Sequence, residues 1–213
     1  IDGLGLEVPS GTTVLAACQQ LGIKIPTLCY HEDLCIAGVC RICVVEVKGL
    51  RTLCPSCAYP ITESIEVFTN TAKVRRARRH MVDLLLSDHY GECYCCWRNN
   101  NCELQSLAQE YGIRQFRFGH PSAPRHSLDR SSYSVTRDMD KCVNCRRCIR
   151  TCIDLQEVGV LEALGRGHET RISTFMDKPL GGVVCINCGQ CINRCPTGAL
   201  RATDPSDEVW AAI

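Results

Sequence analysis

The sequence predicts an α+β chain of small domains whose interiors are tied together by metal-bound thiols, and three observations predict it. Helix and strand periodicities alternate over short stretches. Only 6% of the 213 residues are aromatic, and the 45% hydrophobic content includes 19 cysteines. Without them about 77 apolar residues, roughly 36%, remain, a thin supply for cores in a chain of this length. Finally, the cysteines fall into three blocks, from Cys18 to Cys57, from Cys93 to Cys102 and from Cys142 to Cys195, with cysteine-free stretches at 58–92 and 103–141.

The net charge of +1 gives no general attraction to nucleic acid or to an anionic membrane surface. No apolar run approaches the ~18 to 20 residues of a membrane span, and residues 1–11 lack the basic start and apolar centre of a signal peptide. A soluble, cytoplasmic chain is expected. In a reducing compartment disulfides are rare, and an odd number of thiols cannot pair completely, so metal or cluster ligation is the expected use of these cysteines. Ile1 stands where an initiator Met would, so the chain reads as part of a longer one.

The elements follow in order. Residues 1–8 read as a hairpin. Pro9, Ser10, Gly11 and Thr12 form a turn and N-cap for a short helix from Val14 to Leu21, stopped by Gly22. Alternation in Val44, Val45 and Val47 predicts a strand, Gly49 a turn, residues 50–53 a returning strand and residues 64–68 another. From 71 to 87, Val74, Ala77, Met81, Val82, Leu84 and Leu85 keep helical spacing. Arg75, Arg76, Arg78 and Arg79 gather on the other side, as a solvated face or a docking surface for an acidic partner. His80 reads as structural. Residues 112–137, rich in Ser, Arg and Pro, read as a connector, and a helix starts near Asp204. The expected division is 1–70, 71–111, the connector 112–137, 138–203, and the start of a continuation at 204–213.

The strongest motif is a doubled C-x2-C-x2-C-x3-C: Cys142, Cys145, Cys148 and Cys152, then Cys185, Cys188, Cys191 and Cys195, followed by Pro196. Three cysteines two residues apart let one tight loop wrap three corners of a cubane. The fourth, displaced onto a following helix, reaches the other cluster. Two 4Fe-4S clusters with crossed ligation follow: Cys142, Cys145, Cys148 and Cys195 for one, Cys152, Cys185, Cys188 and Cys191 for the other. Zinc sites usually join two C-x2-C pairs over a longer loop, so this spacing disfavours zinc.

The first block offers Cys29, Cys40, Cys43 and Cys57, spaced x10, x2 and x13. That spacing admits a 2Fe-2S cluster or zinc. The middle block offers Cys93, Cys96 and Cys102, one ligand short of a cubane. His89 stands four residues before Cys93. A neutral imidazole there would remove one negative charge from the ligand set and raise the cluster's potential, although a lone histidine is more often structural. No nucleotide fingerprint is present: GLGLEVPSG is not G-x-G-x-x-G, and no Walker lysine follows.

Three stretches carry a resemblance. PTLCYHEDLCIAGVCRICVVEV at 26–47, with SCAYPI at 56–61, resembles the 2Fe-2S domain of complex I large subunits and FeFe hydrogenases. LLLSDHYGECYCCWRNNNCELQ resembles the 4Fe-4S segment of the same families with one histidine and three cysteine ligands. CRRCIRTCIDLQEVGVLEALGRGHET at 145–170 resembles multimeric, NAD(P)-linked FeFe hydrogenase catalytic subunits, whose N-terminal electron-transfer region the whole chain resembles. Complex I large subunits resemble it less, on the expectation that they lack the doubled motif.

The resemblance implies a β-grasp 2Fe-2S ferredoxin-like domain, a histidine-ligated 4Fe-4S domain and a bacterial 2x(4Fe-4S) ferredoxin-like domain. It implies one 2Fe-2S cluster on Cys29, Cys40, Cys43 and Cys57, and three 4Fe-4S clusters, the middle one on His89, Cys93, Cys96 and Cys102. Cys18, Cys35, Cys54 and Cys95 match no ligand position. The expected partners are flavin- and iron-sulfur-containing NAD(P)H-oxidoreductase subunits, with a small 2Fe-2S subunit as a further candidate. The expected function is an electron relay toward an FeFe hydrogenase site C-terminal to this chain, since no cysteine follows Cys195. The alternatives are a diaphorase-type subunit, the N-terminal region of an NAD-linked formate dehydrogenase or, remotely, a structural zinc protein.

Overall fold

The computed structural model describes residues 1–213. They fold into two compact units, one of Ile1–Asp88 and Asn100–His120, the other of His89–Asn99 and Pro121–Ile213.

In the first unit, α1 (Val14–Gln20) starts where the Thr13 side chain accepts the Ala16 N–H at 3.2 Å. A cap of this kind is worth about 1 kcal/mol. The helix stops at a left-handed Gly22, with the Ile23 N–H returning to Cys18 O at 2.8 Å and the Gly22 N–H to Gln19 O at 3.0 Å. These two bonds satisfy carbonyls that the helix end leaves open. The buried face of α1, with Val14, Leu15 and Cys18, packs into a core with Ile25, Val45, Val47 and Val67.

The sheet is antiparallel, in the order β2-β1-β3, with β1 (Val44–Val47) between β2 (Cys54–Pro55) and β3 (Val67–Phe68). Two expected strands are corrected here. Residues 1–8 form no hairpin: Gly3 turns the chain with φ of 85°, and Leu4 and Leu6 are exposed instead of lining a buried face. The segment is fastened to the end of β3, where the Asp2 N–H donates to Val67 O and its carboxylate accepts the Thr69 N–H, both at 2.8 Å. The Leu50 N–H on Val47 O closes a turn over Val47–Leu50, and residues 50–53 run outside the ladder, so pairing resumes only at Cys54 opposite Val45.

The longest helix, α2 (Ala72–Asp88), lies where its periodicity places it and packs on β1 and on α3 (Glu103–Glu110). One assignment on it is corrected: Arg78 does not share the solvent face of Arg75, Arg76 and Arg79 but is 4% exposed, between Val74 and Val82 on the buried stripe. Arg117 bonds His80 Nε2 at 2.6 Å, and its N–H donates to the buried carboxylate of Asp83.

The second unit holds two antiparallel ribbons, β4 (Val135–Arg137) with β7 (Leu200–Ala202) and β5 (Glu162–Leu164) with β6 (Arg171–Ser173). Its helices are α4 (Arg147–Arg150), which continues into a wider turn over Thr151–Leu155, α5 (Gln190–Arg194) and α6 (Ser206–Ala212). Val135, Leu161, Ile172, Leu180, Ala199 and Leu200 form the core. The Ser- and Arg-rich stretch before β4 is anchored by carboxylates. Buried Asp140 accepts the N–H groups of Arg125 and His126, and Asp129 accepts the Leu180 N–H and a forked pair from Arg137 at 2.9 and 2.7 Å. Burial opposes ionisation of Asp129, but the bonds from Ser131, Leu180 and Arg137 outweigh it and bring its pKa down to about 2.

Candidate metal centres

Loops beside the first sheet gather Cys29, Cys40, Cys43 and Cys57, all 9% exposed or less. Arg41, with φ of 58°, turns the chain between the second and third. The Cys29 N–H points at Cys40 Sγ, 3.4 Å away, and the thiols of Cys29 and Cys40 are hydrogen-bonded, as are those of Cys43 and Cys57. The bond to Cys29 and then burial push the Cys40 thiol up. The bond to Cys43 and then burial do the same for Cys57. Cys43, which accepts from the Cys57 thiol, is lowered to about 6 against the effect of burial. Cys54 stands apart on β2, its Sγ 3.9 Å from Thr52 O, and its thiol is raised by burial alone. Cys18 lies inside α1's core, and Cys35 is exposed.

The doubled motif is doubled in backbone as well. Asn144 and Arg146, flanking Cys145, are left-handed with φ of 51° and 60°; Asn187 and Gly189, flanking Cys188, repeat this with 58° and 70°. These turns bend each loop around its own concavity. One void is lined by Cys142, Cys145, Cys148 and Cys195, the other by Cys152, Cys185, Cys188 and Cys191. Burial, then Cys145, Cys142 and Cys195, hold the Cys148 thiol well above its ordinary value. Burial, then Cys188, Cys185 and Cys152, raise Cys191 to about 12. The Asn144 N–H points at Cys142 Sγ at 3.4 Å.

The middle set is divided. His89, Cys93 and Cys96 belong to the second unit, while Cys102 stands at the start of α3 in the first. Cys93 and Cys95 lie exposed in one turn, closed by the Cys96 N–H on Cys93 O at 3.0 Å. Burial, then Cys96, raises the Cys93 thiol. Trp97 Nε1 donates to Gly198 O at 3.1 Å, and Arg98 donates to Cys195 O at 2.6 Å. A Cβ on Gly198 would stand 2.7 Å from Cys96 Sγ, so any side chain there requires Cys96 to shift.

The donor sets suit iron-sulfur clusters chemically. Thiols crowded together against apolar walls cannot all ionise unaided, because burial and mutual repulsion oppose it. Iron supplies the compensating charge, and thiolates are the soft ligands such clusters take. No three His, Cys, Asp or Glu side chains converge closely enough for a single ion.

Sequence reading missed Arg78, Arg98 and Gly198. Arg78 had a signal, its place four residues from both Val74 and Val82 on the buried stripe. Nothing local in the sequence marks the other two, whose partners lie about 100 residues away.

Three family models match in the same order as the sites: a 2Fe-2S iron-sulfur cluster binding domain over residues 1–72, the NADH-ubiquinone oxidoreductase-G iron-sulfur binding region over 78–117, and the ferredoxin-like domain of NADH-quinone oxidoreductase subunit 3 over 132–201. The chain is 46% identical to the NADP-reducing hydrogenase subunit HndD of Solidesulfovibrio fructosivorans, covering 100% of this chain and 37% of that protein. It is 39% identical to the NADH-ubiquinone oxidoreductase 75 kDa subunit of Reclinomonas americana, over 95% of this chain and 29% of the other. The chain thus spans little more than a third, or less, of these relatives. A chain in the crystal structure of an NAD+-reducing [NiFe]-hydrogenase in the H2-reduced state superposes with a TM-score of 0.83 at 30% identity, covering 93% of this chain and 83% of that one.

The chain is more similar to the hydrogenase subunit HndD, at 46% identity, than to the complex I subunit, at 39%. No helix is long and apolar enough to cross a membrane. The chain belongs to the iron-sulfur electron-transfer family shared by HndD-like subunits of NAD(P)-linked hydrogenases and the 75 kDa subunits of complex I.

Proposed function

We propose that the chain relays single electrons through one 2Fe-2S and three 4Fe-4S clusters between a flavin-containing NAD(P)H-oxidoreductase partner and an FeFe hydrogenase site C-terminal to it. The observation that carries this reading is the sorting of eight cysteines of the second unit into two voids, with Cys195 beside the first loop and Cys152 beside the second. The likeness to an NADP-reducing hydrogenase subunit supports the two ends of the relay. When bound, the clusters supply one-electron chemistry with little rearrangement.

The rest is done by the polypeptide. Its thiols carry the charge that holds iron, buried aliphatic walls keep water away, and N–H groups such as those of Cys29 and Asn144 point at sulfur. Within the second unit, Trp97 and Arg98 reach the carbonyls of Gly198 and Cys195. The segment bearing His89, Cys93 and Cys96 is thereby fixed against the loop bearing the last cubane ligand. A diaphorase-type iron-sulfur subunit is the second reading, favoured by the 83% coverage of a chain from an NAD+-reducing [NiFe]-hydrogenase.

Anaerobic reductive titration tests the relay. The reconstituted chain is expected to take up about four electrons, one per cluster, and return them to an oxidised dye without evolving hydrogen. Uptake of less than one electron, or sustained hydrogen evolution by the chain alone, contradicts it. At the first site, Cys57→Ser is expected to remove the 2Fe-2S spectrum and Cys54→Ser to leave it in place, because only Cys57 bonds Cys43. The reverse result in visible circular dichroism would move the ligand to Cys54.

A further inference from the structure

Arg78 is a buried charge in the first unit. Arginines are rarely buried unless paired, yet this one is 4% exposed. Its Nε and Nη2 both donate to Val44 O, at 3.1 and 2.8 Å. The guanidinium also acts on the Tyr111 phenol, pulling its pKa down against burial, which raises it. Its hydrogen bonds therefore go to a carbonyl, not to a carboxylate.

The sheet explains why this carbonyl is available. β1 pairs with β3 at Glu46 opposite Phe68 and Val47 opposite Val67, and β3 ends at Phe68. Continuing that register would place Asn70 opposite Val44, but the chain has already left the sheet toward α2. Val44 O thus faces no strand N–H on that side, and an unmet buried carbonyl costs about 1–3 kcal/mol. A neutral side chain could have met it. The sequence instead puts a permanent cation there, on the residue that follows Cys43.

We propose that Arg78 is a positioning residue for the first cluster site, capping the end of β1 next to Cys43 and holding a buried positive charge there that raises the reduction potential of the 2Fe-2S cluster. The inference rests on the reading that Cys29, Cys40, Cys43 and Cys57 hold that cluster. One-electron reduction adds a negative charge, which a nearby cation stabilises. Burial keeps salt from screening it, whereas the exposed Arg75, Arg76 and Arg79 act through solvent and are screened within about 10 Å at 0.1 M salt.

The test is an EPR-monitored redox titration of the reconstituted full chain with Arg78→Gln, Arg78→Lys and the triple change Arg75→Gln, Arg76→Gln and Arg79→Gln. Poised at the parent's midpoint, Arg78→Gln should show at least a threefold lower ratio of reduced to oxidised 2Fe-2S cluster, equally at 0.05 and 1 M salt. Arg78→Lys should stay near the parent, and the triple variant should differ from it only at low salt. Arg78→Gln holding its cluster at the parent's midpoint overturns the proposal. So does loss of the cluster from both Gln and Lys variants, which would make Arg78 a structural cap alone. Failure of the underlying site reading would appear separately, as a parent chain with no 2Fe-2S signal.

Discussion

Cys195→Ala is expected to abolish the same EPR signal as Cys145→Ala, and Cys152→Ala the same signal as Cys188→Ala. The reason is the grouping of side chains: Cys195 shares its void with Cys142, Cys145 and Cys148, and Cys152 shares the other with Cys185, Cys188 and Cys191. Each change should cost about four irons per chain and leave the second cubane of the unit in place. Because crossing ties the two halves together, either change should also lower the melting temperature by several degrees through lost metal binding. If Cys195→Ala instead matched Cys188→Ala, each motif would serve its own cluster, and the crossed arrangement would be wrong.

Gly198→Ala should have the second-largest effect. The added methyl would stand 2.7 Å from Cys96 Sγ, 3.2 Å from Lys141 Cδ and 3.4 Å from Trp97 Nε1. The lysine can yield at its flexible stem, but a sulfur fixed on iron cannot. Overpacking of this kind costs about 1–3 kcal/mol. With Cys96 displaced, the middle cluster should be lost or converted to a 3Fe form, while the 2Fe-2S signal stays unchanged. EPR of the reduced and oxidised variant checks this; an intact middle cluster would mean that Cys96 is free to move and is not its ligand.

How much of this was legible in the sequence depends on how local each signal is. The doubled motif could be read because three cysteines of each loop lie within seven residues, and the left-handed turns at Asn144, Arg146, Asn187 and Gly189 repeat with it. Helices α1 and α2 were legible from cap, stop and apolar spacing. Strands were less so. The hairpin expected over residues 1–8 does not form, because a strand needs one face on a core, and Leu4 and Leu6 find none.

Arg78 was hidden for a different reason. Residue type outweighed position: an arginine among four was assigned to solvent, although its spacing from Val74 and Val82 put it on the buried face. Only the early end of β3 leaves the Val44 carbonyl open to a side-chain donor there, and strand ends are set by tertiary pairing. The links from Trp97 and Arg98 to Gly198 and Cys195 span about 100 residues and leave no local trace.

The central claim is that the cysteines of this chain carry four iron-sulfur clusters. The most direct measurement is iron, zinc and acid-labile sulfide analysis of the anaerobically reconstituted chain, joined to Mössbauer spectroscopy of the same sample. The expected result is about 14 irons and as many sulfides per chain, with about one seventh of the iron in a 2Fe-2S site and the rest in 4Fe-4S sites. Zinc in place of iron, with no labile sulfide, would contradict it.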